Sequence, residues 1–423
     1  MKHLVVTECF DSIPISDSEF RGCLTSAEAN ELESYVRKQG LDEDGVLISR
    51  HGVTFINYVG FIQLKSCSIE ILPKVSGDDP RKSRRVLLRM LQRSGFLNIH
   101  ESQVSQLMIE KMSLFEIIAY LFTEKLAREL RKGIFKSYQR EYGELQLVRG
   151  RIDMNRQLRR EALKRPGISC EYDEFQIDNP LNQAFKAALQ LVMFCCKTSS
   201  TKKRAASSMA WLDEATVACM THDRLERIRF DRTNRRYQES FRLAKLLLSR
   251  STSVSSPGGV HSSSILFKMN DLFEEYIAYL VRTNADKVTV KDRSHKLLVR
   301  TGDNRGVFRL EPDLLVTGPA GKRIILDTKW KMIYSHRSRH GVKREDFYQM
   351  YAYLTRYKEV EEVILLYPHH DGIISTGGCL EDWHLEGEPE KKLKVYSIRY
   401  EDEQVAEREL REILECDVGE QHD

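Results

Sequence analysis

Glu311-Pro312-Asp313-Leu314-Leu315-Val316 and, a few residues on, Ile324-Ile325-Leu326-Asp327-Thr328-Lys329-Trp330-Lys331 are two short apolar runs bounded by Gly and Pro. Runs of this length, rich in Leu, Ile and Val, are predicted to be neighbouring buried strands. Each carries acid where acid is expensive. Asp327 and Lys329 lie two residues apart, so their side chains leave the same face of the sheet, and Asp313 closes the other side. An ionised carboxylate in an apolar strand needs a partner or a metal. Two converging carboxylates are the least that a protein supplies to a Mg2+ ion that keeps several waters.

Other readings of each half stand beside this one. Asp-x-Lys on one strand face is also a plain ion pair, and Pro-Asp is a common turn. Taken together, Pro312-Asp313, thirteen intervening residues and Asp327-Thr328-Lys329 on a hydrophobic strand match the PD-(D/E)xK pattern of a nuclease superfamily. Beside a metal-bound water, the lysine ammonium orients the nucleophile or offsets the charge that develops on a phosphodiester.

A chain of 423 residues is long enough for two or three domains. No run approaches the roughly 20 apolar residues of a membrane span, and Met1-Lys2-His3 opens no signal peptide, so no membrane and a cytoplasmic location are expected. The nine cysteines are scattered without a C-x-x-C pair, which suits a reducing compartment. His336, His340, His369 and His370 are read as loop residues, not as a zinc site. Charge is uneven along the chain. Arg131 to Arg165 holds 11 Lys/Arg against 4 Asp/Glu and Arg224 to Arg250 holds 9 against 3, whereas from Glu381 onward 15 acids face 6 bases. The basic middle fits a polyanion or an acidic protein partner equally well.

Read in order, residues 1–82 are β-rich, with Ser26 to Gln39 as a helix, and suggest a small barrel or curled sheet that binds a partner. Gly77 to Ser83 superficially resembles a phosphate loop but lacks the second glycine, so no nucleotide site is read there. Residues 83–250 are mainly helical and basic. Within them Tyr138, Tyr142 and Arg149-Gly150-Arg151 fall in an expected loop, Thr198 to Ser208 in another, and Asp178-Asn179-Pro180 opens a helix. Residues 251–264, nearly free of apolar side chains, are the expected linker. From 265 to 423 the predicted order is α-β-β-β-α-β-β-α, with Met269 to Thr283 and Glu345 to Lys358 as helices. The fold class is therefore multidomain α/β: a β-rich N-terminal part, a helical middle and a C-terminal restriction-endonuclease-like α/β domain.

Further blocks lie in a set order: Gly60 to Lys74, Met90 to Phe96, Arg149 to Ile152, Glu171 to Phe175, Asp178 to Asn182, Leu272 to Tyr276 and Asp346 to Tyr351. With Pro312-Asp313 and Asp327 to Lys331, these blocks make the chain resemble McrC, the nuclease subunit of McrBC-type modification-dependent restriction systems, over most of its length. The resemblance implies an endodeoxyribonuclease that cuts double-stranded DNA with Mg2+ and stimulates a McrB-like AAA+ GTPase ring. It also implies roles. Asp313 and Asp327 bind the metal, Lys329 assists the attacking water, Glu274 (or its neighbour Glu275) completes the shell, and Gln349 supports water or phosphate. The competing reading is a non-catalytic structural or regulatory subunit that grips DNA and activates the GTPase. A third, a stand-alone nucleic-acid-binding protein, requires tight, salt-sensitive DNA binding by the isolated chain.

Overall fold

The structure, a computed structural model, describes residues 2–9, 11–17, 22–41, 45–75, 79–97, 112–163, 166–248, 252–253, 260–285, 287–318, 321–334, 338–373 and 378–414. Short alternating runs at the N-terminal end form β1 (Lys2–Thr7), β2 (Ser12–Pro14), β3 (Val46–Ile48), β4 (Gly52–Phe55), β5 (Tyr58–Gln63) and β6 (Cys67–Leu72). Helix α1 (Ser26–Lys38) interrupts them, its first turn closed by reciprocal bonds between Thr25 and Glu28. The barrel or curled sheet expected here is instead two sheets. Strands β2, β4 and β3 pair antiparallel, while β1, β6 and β5 run side by side in another sheet. The run from Gly52 to Gly60 breaks at Asn57, whose φ of 58° lies in the left-handed region that asparagine tolerates. Helix α2 (Pro80–Arg93) starts behind an Asp79 cap with Pro80 in its first turn, and Ser83 of the rejected phosphate loop is buried inside it.

The chain folds as two compact units, each gathered from separated stretches. The first comprises Met1–Lys2, Phe61–Ser68 and Glu101–Ile265; the second comprises His3–Gly60, Ile69–His100 and Leu266–Asp423. These limits differ from those read at 82, 250 and 264, because composition marks loops whereas compactness follows packing.

In the first unit, α3 (Leu114–Arg131) is followed by β7 (Ser137–Leu145), β8 (Arg151–Ile152), α4 (Met154–Ala162) and β9 (Ile168–Gln176). Then come α5 (Pro180–Cys195), α6 (Ser199–Trp211), α7 (His222–Glu226) and α8 (Gln238–Leu248). Helix α3 packs on α6 and α8, and α5 packs on the same two. Asn179 caps α5 ahead of Pro180, as the sequence predicts. Two expected loops are ordered elements. Thr198 precedes α6 and Ser199 to Ser208 lies within it, the helix packing through small buried residues, Thr201, Ala205 and Ser208. The stretch with Tyr138, Tyr142 and Arg149 to Arg151 belongs to a three-stranded antiparallel sheet in the order β7-β9-β8. Of the expected linker, 252–253 and 260–264 lie in β10 (Thr252–Ser253) and β11 (Val260–Lys268), which pair antiparallel; the remaining positions lie outside the described residues.

The second unit is built on α9 (Met269–Asn284), β12 (Lys287–Val290), β13 (Lys296–Val299), β14 (Gly306–Arg309), β15 (Leu314–Thr317), β16 (Arg323–Thr328), α10 (Arg344–Arg356), β17 (Val360–Pro368), β18 (Gly378–Leu385), β19 (Glu388–Ile398) and α11 (Glu403–Ile413). Six strands form one mixed sheet in the order β12-β15-β16-β17-β19-β18. Strands β12, β15 and β16 are successively antiparallel, and β16, β17 and β19 are parallel. Parallel neighbours need a crossover, and α10 supplies the one between β16 and β17. The core beneath α10 gathers Ile325, Met350, Tyr353, Leu365 and Val395 among others, all closed to solvent. Helices α2 and α11 both pack on α9. The run from Val307 to Val316 is cut in two around Pro312, whose nitrogen has no hydrogen to give a ladder. Strand β14 turns away to pair with β13 as a separate ribbon. Part of the acidic stretch after Glu381 is strand β18, antiparallel to β19.

Candidate active site

Strand β16 reads Arg-Ile-Ile-Leu-Asp-Thr, and every residue after Arg323 is buried. Its register against β15 pairs Leu314 with Leu326, so one step further Asp313 stands opposite Asp327. Side chains directly opposite in an antiparallel pair leave the same face about 5 Å apart. Asp313 is fixed at that point by its neighbour across the strand: the Thr328 amide and hydroxyl donate to Asp313 Oδ2 at 2.7 and 2.8 Å. The backbone N–H of Lys291 donates to the Asp313 carbonyl at 2.9 Å.

Asp327 is fully buried. Burial, followed by the charge of Asp313, pushes its carboxyl up to about 7 against the pull of Lys329. The Lys329 ammonium sits beside Asp327 Oδ2 and donates to Gln349 Oε1 at 3.2 Å. Burial alone lowers an ammonium, but Asp327, Asp313 and Asp346 outweigh it and hold Lys329 above its ordinary range. Gln349 reaches from α10 to complete the ring, donating to Asp327 Oδ1 at 3.3 Å and to the Tyr353 hydroxyl at 2.8 Å. Two residues beyond Lys329, Lys331 donates to both oxygens of buried Asp346 at 2.8 and 3.0 Å.

Glu274 stands on α9 and pairs with Lys291 at 3.0 Å. Burial and then Asp313 raise its carboxyl, which puts it within the electrostatic reach of the pair. Glu275 does not make that ion pair with Lys291 but adds to the negative field around it. Asp313, Asp327, Lys329, Gln349 and Glu274 are thus in one neighbourhood, although Glu274 is drawn toward Lys291. Among the described residues no three His, Cys, Asp or Glu side chains converge as a ready-made ligand set. Asp327 Oδ2 and Glu274 Oε1 are buried and receive no hydrogen bond of sound geometry, although an ammonium lies near each. Hard carboxylate oxygens of this kind suit Mg2+, which takes one or two carboxylates and keeps waters for the rest, once the ammonium beside each has moved aside.

Sequence reading missed two partners of this site. Thr328 holds Asp313, and Glu8, far away in sequence, accepts from the Trp330 indole directly after Lys329. The histidines have local roles. His370 is buried and donates to the Ile333 carbonyl at 2.6 Å, His369 lies 3.2 Å from the Ser397 hydroxyl, and His340 lies 3.3 Å from Glu381; His336 falls outside the described residues. Among the described residues no helix is long and apolar enough to cross a membrane.

Fold and site together define a multidomain α/β protein whose mixed sheet carries a buried cluster of acids and a lysine. The model of the McrBC 5-methylcytosine restriction system component family matches residues 53–368, and the chain belongs to that family. The resemblance drawn from the sequence blocks is borne out. Two solved structures from Thermococcus gammatolerans share the fold. A chain of the half-complex from a tetradecameric assembly of McrB AAA+ hexamers with bound McrC is similar at 20% identity, with a TM-score of 0.69, covering 97% of this chain and 100% of that one. A chain of the McrBC complex seen by cryo-electron microscopy is similar at 23% identity, with a TM-score of 0.51, covering 68% of this chain and 90% of that one. No curated protein matches the chain.

Proposed function

We propose that this chain is a Mg2+-dependent DNA endonuclease subunit that works with a McrB-like AAA+ GTPase ring inside a restriction complex. The observation that carries the reading is the convergence of Asp313, directly before β15, and Asp327 of β16, with Lys329 against the second acid. Asp313 and Asp327 would hold the ion, and Glu274 reaches it only by leaving Lys291. When bound, Mg2+ polarises the scissile phosphate and a water. Lys329 would orient the attacking water and offset the charge gathering on the phosphate. Gln349 fixes Lys329 and Asp327 in register, and the buried β16 excludes bulk water from one side.

Family membership supports this reading, as does the fold shared with chains from assemblies of McrB hexamers with bound McrC. A second reading, a regulatory subunit with a silent site, draws on the Lys329 ammonium, which occupies the very Asp327 oxygen that a metal needs. Plasmid cleavage with partner ring, GTP and Mg2+ separates them. Asp327→Ala is expected to lower cutting by at least about a thousandfold, the scale of losing metal-supplied charge stabilisation of several kcal/mol. Unchanged cutting by Asp327→Ala ends the nuclease reading.

A further inference from the structure

The strand run β13–β14 stands apart from the six-stranded sheet as its own two-stranded ribbon. All four residues of β13 are exposed, and Phe308 of β14 is 70% exposed while holding a φ of 54°. A large aromatic in the left-handed region is strained, and such residues cluster at functional sites. Lys296, Arg305 and Arg309 add positive charge along the ribbon, and the two carboxylates nearby, Asp303 and Glu311, pair with Arg300 at 3.7 Å and Arg293 at 2.7 Å. Gly306 lets the Lys296 stem lie flat across the ribbon: a Cβ there would meet Lys296 Cδ at 2.2 Å.

The base of the ribbon, where Lys296 pairs with Arg309, is anchored beside the acid–lysine cluster. There Leu310 N–H donates to the His295 carbonyl, and only three residues lie between Arg309 and Asp313, a reach of at most about 14 Å. On its flank, Arg356 of α10 donates to the Lys296 carbonyl at 3.1 Å, His295 packs 4.1 Å from the Tyr357 ring, and Tyr357 donates to Asp292 at 2.8 Å. Tyr348 and Tyr351 of α10 are 65% and 57% exposed, on either side in sequence of Gln349, which points into the cluster.

We propose that the β13–β14 ribbon and the exposed tyrosines of α10 form the grip on duplex DNA that feeds the acid–lysine cluster. The proposal rests on the nuclease reading for its purpose. A two-stranded ribbon fits the major groove, which is about 12 Å wide. Lys296, Arg305 and Arg309 meet phosphates, and Phe308 contributes apolar contact at the base edges or backbone. A protein partner is less well matched, because the positive charge and exposed rings sit beside a site that suits a phosphodiester.

The test is binding of a fluorescent duplex by the full chain in EDTA at low salt, where metal-dependent cutting is absent and a grip too weak for a stand-alone DNA-binding protein is still read. The triple variant Lys296→Ala, Arg305→Ala, Arg309→Ala is expected to bind at least about tenfold more weakly, with a salt slope shallower by about 2–3, near 0.9 for each phosphate no longer neutralised. Phe308→Ala is expected to weaken binding several-fold at an unchanged slope, and the charge-keeping variant Lys296→Arg, Arg305→Lys, Arg309→Lys to bind as the parent does. No duplex binding by the parent chain, or equal binding by parent and triple variant, overturns the grip. So does a triple variant that keeps DNA but loses a protein partner. Because the assay contains no metal, these results stand whether or not Asp327→Ala stops cleavage.

Discussion

Trp330 follows Lys329 directly, and its indole donates to Glu8, which also accepts from the Asn57 amide at 3.1 Å. Phe273 and Tyr400 pack around the indole at 5.2 Å each. Burial pushes the Glu8 carboxyl up to about 7 against the lowering bonds from Trp330 and Asn57. A carboxyl raised above its unfolded value, about 4.5, stabilises the fold fully below that value and loses its contribution as pH rises through about 7. Trp330→Phe keeps the ring packing but removes the donor that favours the charged form. Urea unfolding should therefore show a loss of about 1–3 kcal/mol at pH 8, the worth of a hydrogen bond to a charged group, and a much smaller loss at pH 5. Equal losses at both pH values would sink the assignment. The contrast with Asp313 and Asp327 shows what sequence makes legible. Those acids betray themselves by interrupting apolar strands at fixed spacing, whereas Glu8 lies in Thr-Glu-Cys at a strand end, and its partner is 322 residues away. Thr328 was hidden differently, since a threonine in a strand looks like ordinary β-propensity.

At the scale of elements, helices with a clear apolar stripe were placed to within a few residues, and α9 and α10 are the best examples. Strand β7 was missed because its sequence, Ser-Tyr-Gln-Arg-Glu-Tyr-Gly-Glu-Leu, alternates only between exposed and half-buried positions and has no core face. Helix α6 was missed because it seats itself with Ala, Ser and Thr instead of large side chains, so the period of its burial leaves no hydrophobic trace. The β7-β9-β8 sheet depends on backbone approach. Gly150 has a φ of 71°, and a Cβ there would sit 2.4 Å from the Glu171 carbonyl oxygen and 2.9 Å from the Tyr172 Cα. Gly150→Ala is expected to weaken the pairing of β8 with β9 by about 1–3 kcal/mol, the cost of a strained backbone position. Amides of residues 168–176 should then exchange with deuterium roughly ten- to a hundredfold faster, while those of α3 and α5 stay protected. Unchanged exchange in β9 would show that the sheet tolerates the added carbon by shifting.

For the whole molecule, the second compact unit draws on both ends of the sequence, which no local pattern announces. Its N-terminal stretches are bonded to its C-terminal ones at several points. Arg89 donates to the Glu401 carbonyl at 3.1 Å, Arg93 pairs with Glu403 at 2.9 Å and lies 5.3 Å from the Tyr279 ring, and Tyr400 donates to the Lys74 carbonyl. Helix α2, which packs on α9, also carries Leu87, Met90 and Leu91, all closed to solvent and each worth about 1.5–3 kcal/mol when buried. A native domain is marginal by only about 5–15 kcal/mol. Residues 266–423 expressed alone would therefore forfeit stabilisation comparable to the whole, even though they contain every strand of the six-stranded sheet. That segment is expected to retain far-ultraviolet helix and strand signal, lose near-ultraviolet structure around Trp330 and Tyr400, and bind a hydrophobic dye, the behaviour of a collapsed but unpacked chain. Cooperative unfolding with a native near-ultraviolet spectrum would show instead that the C-terminal sheet is self-sufficient. The acid–lysine cluster would then need nothing from β1, Asn57 or α2 to hold its geometry.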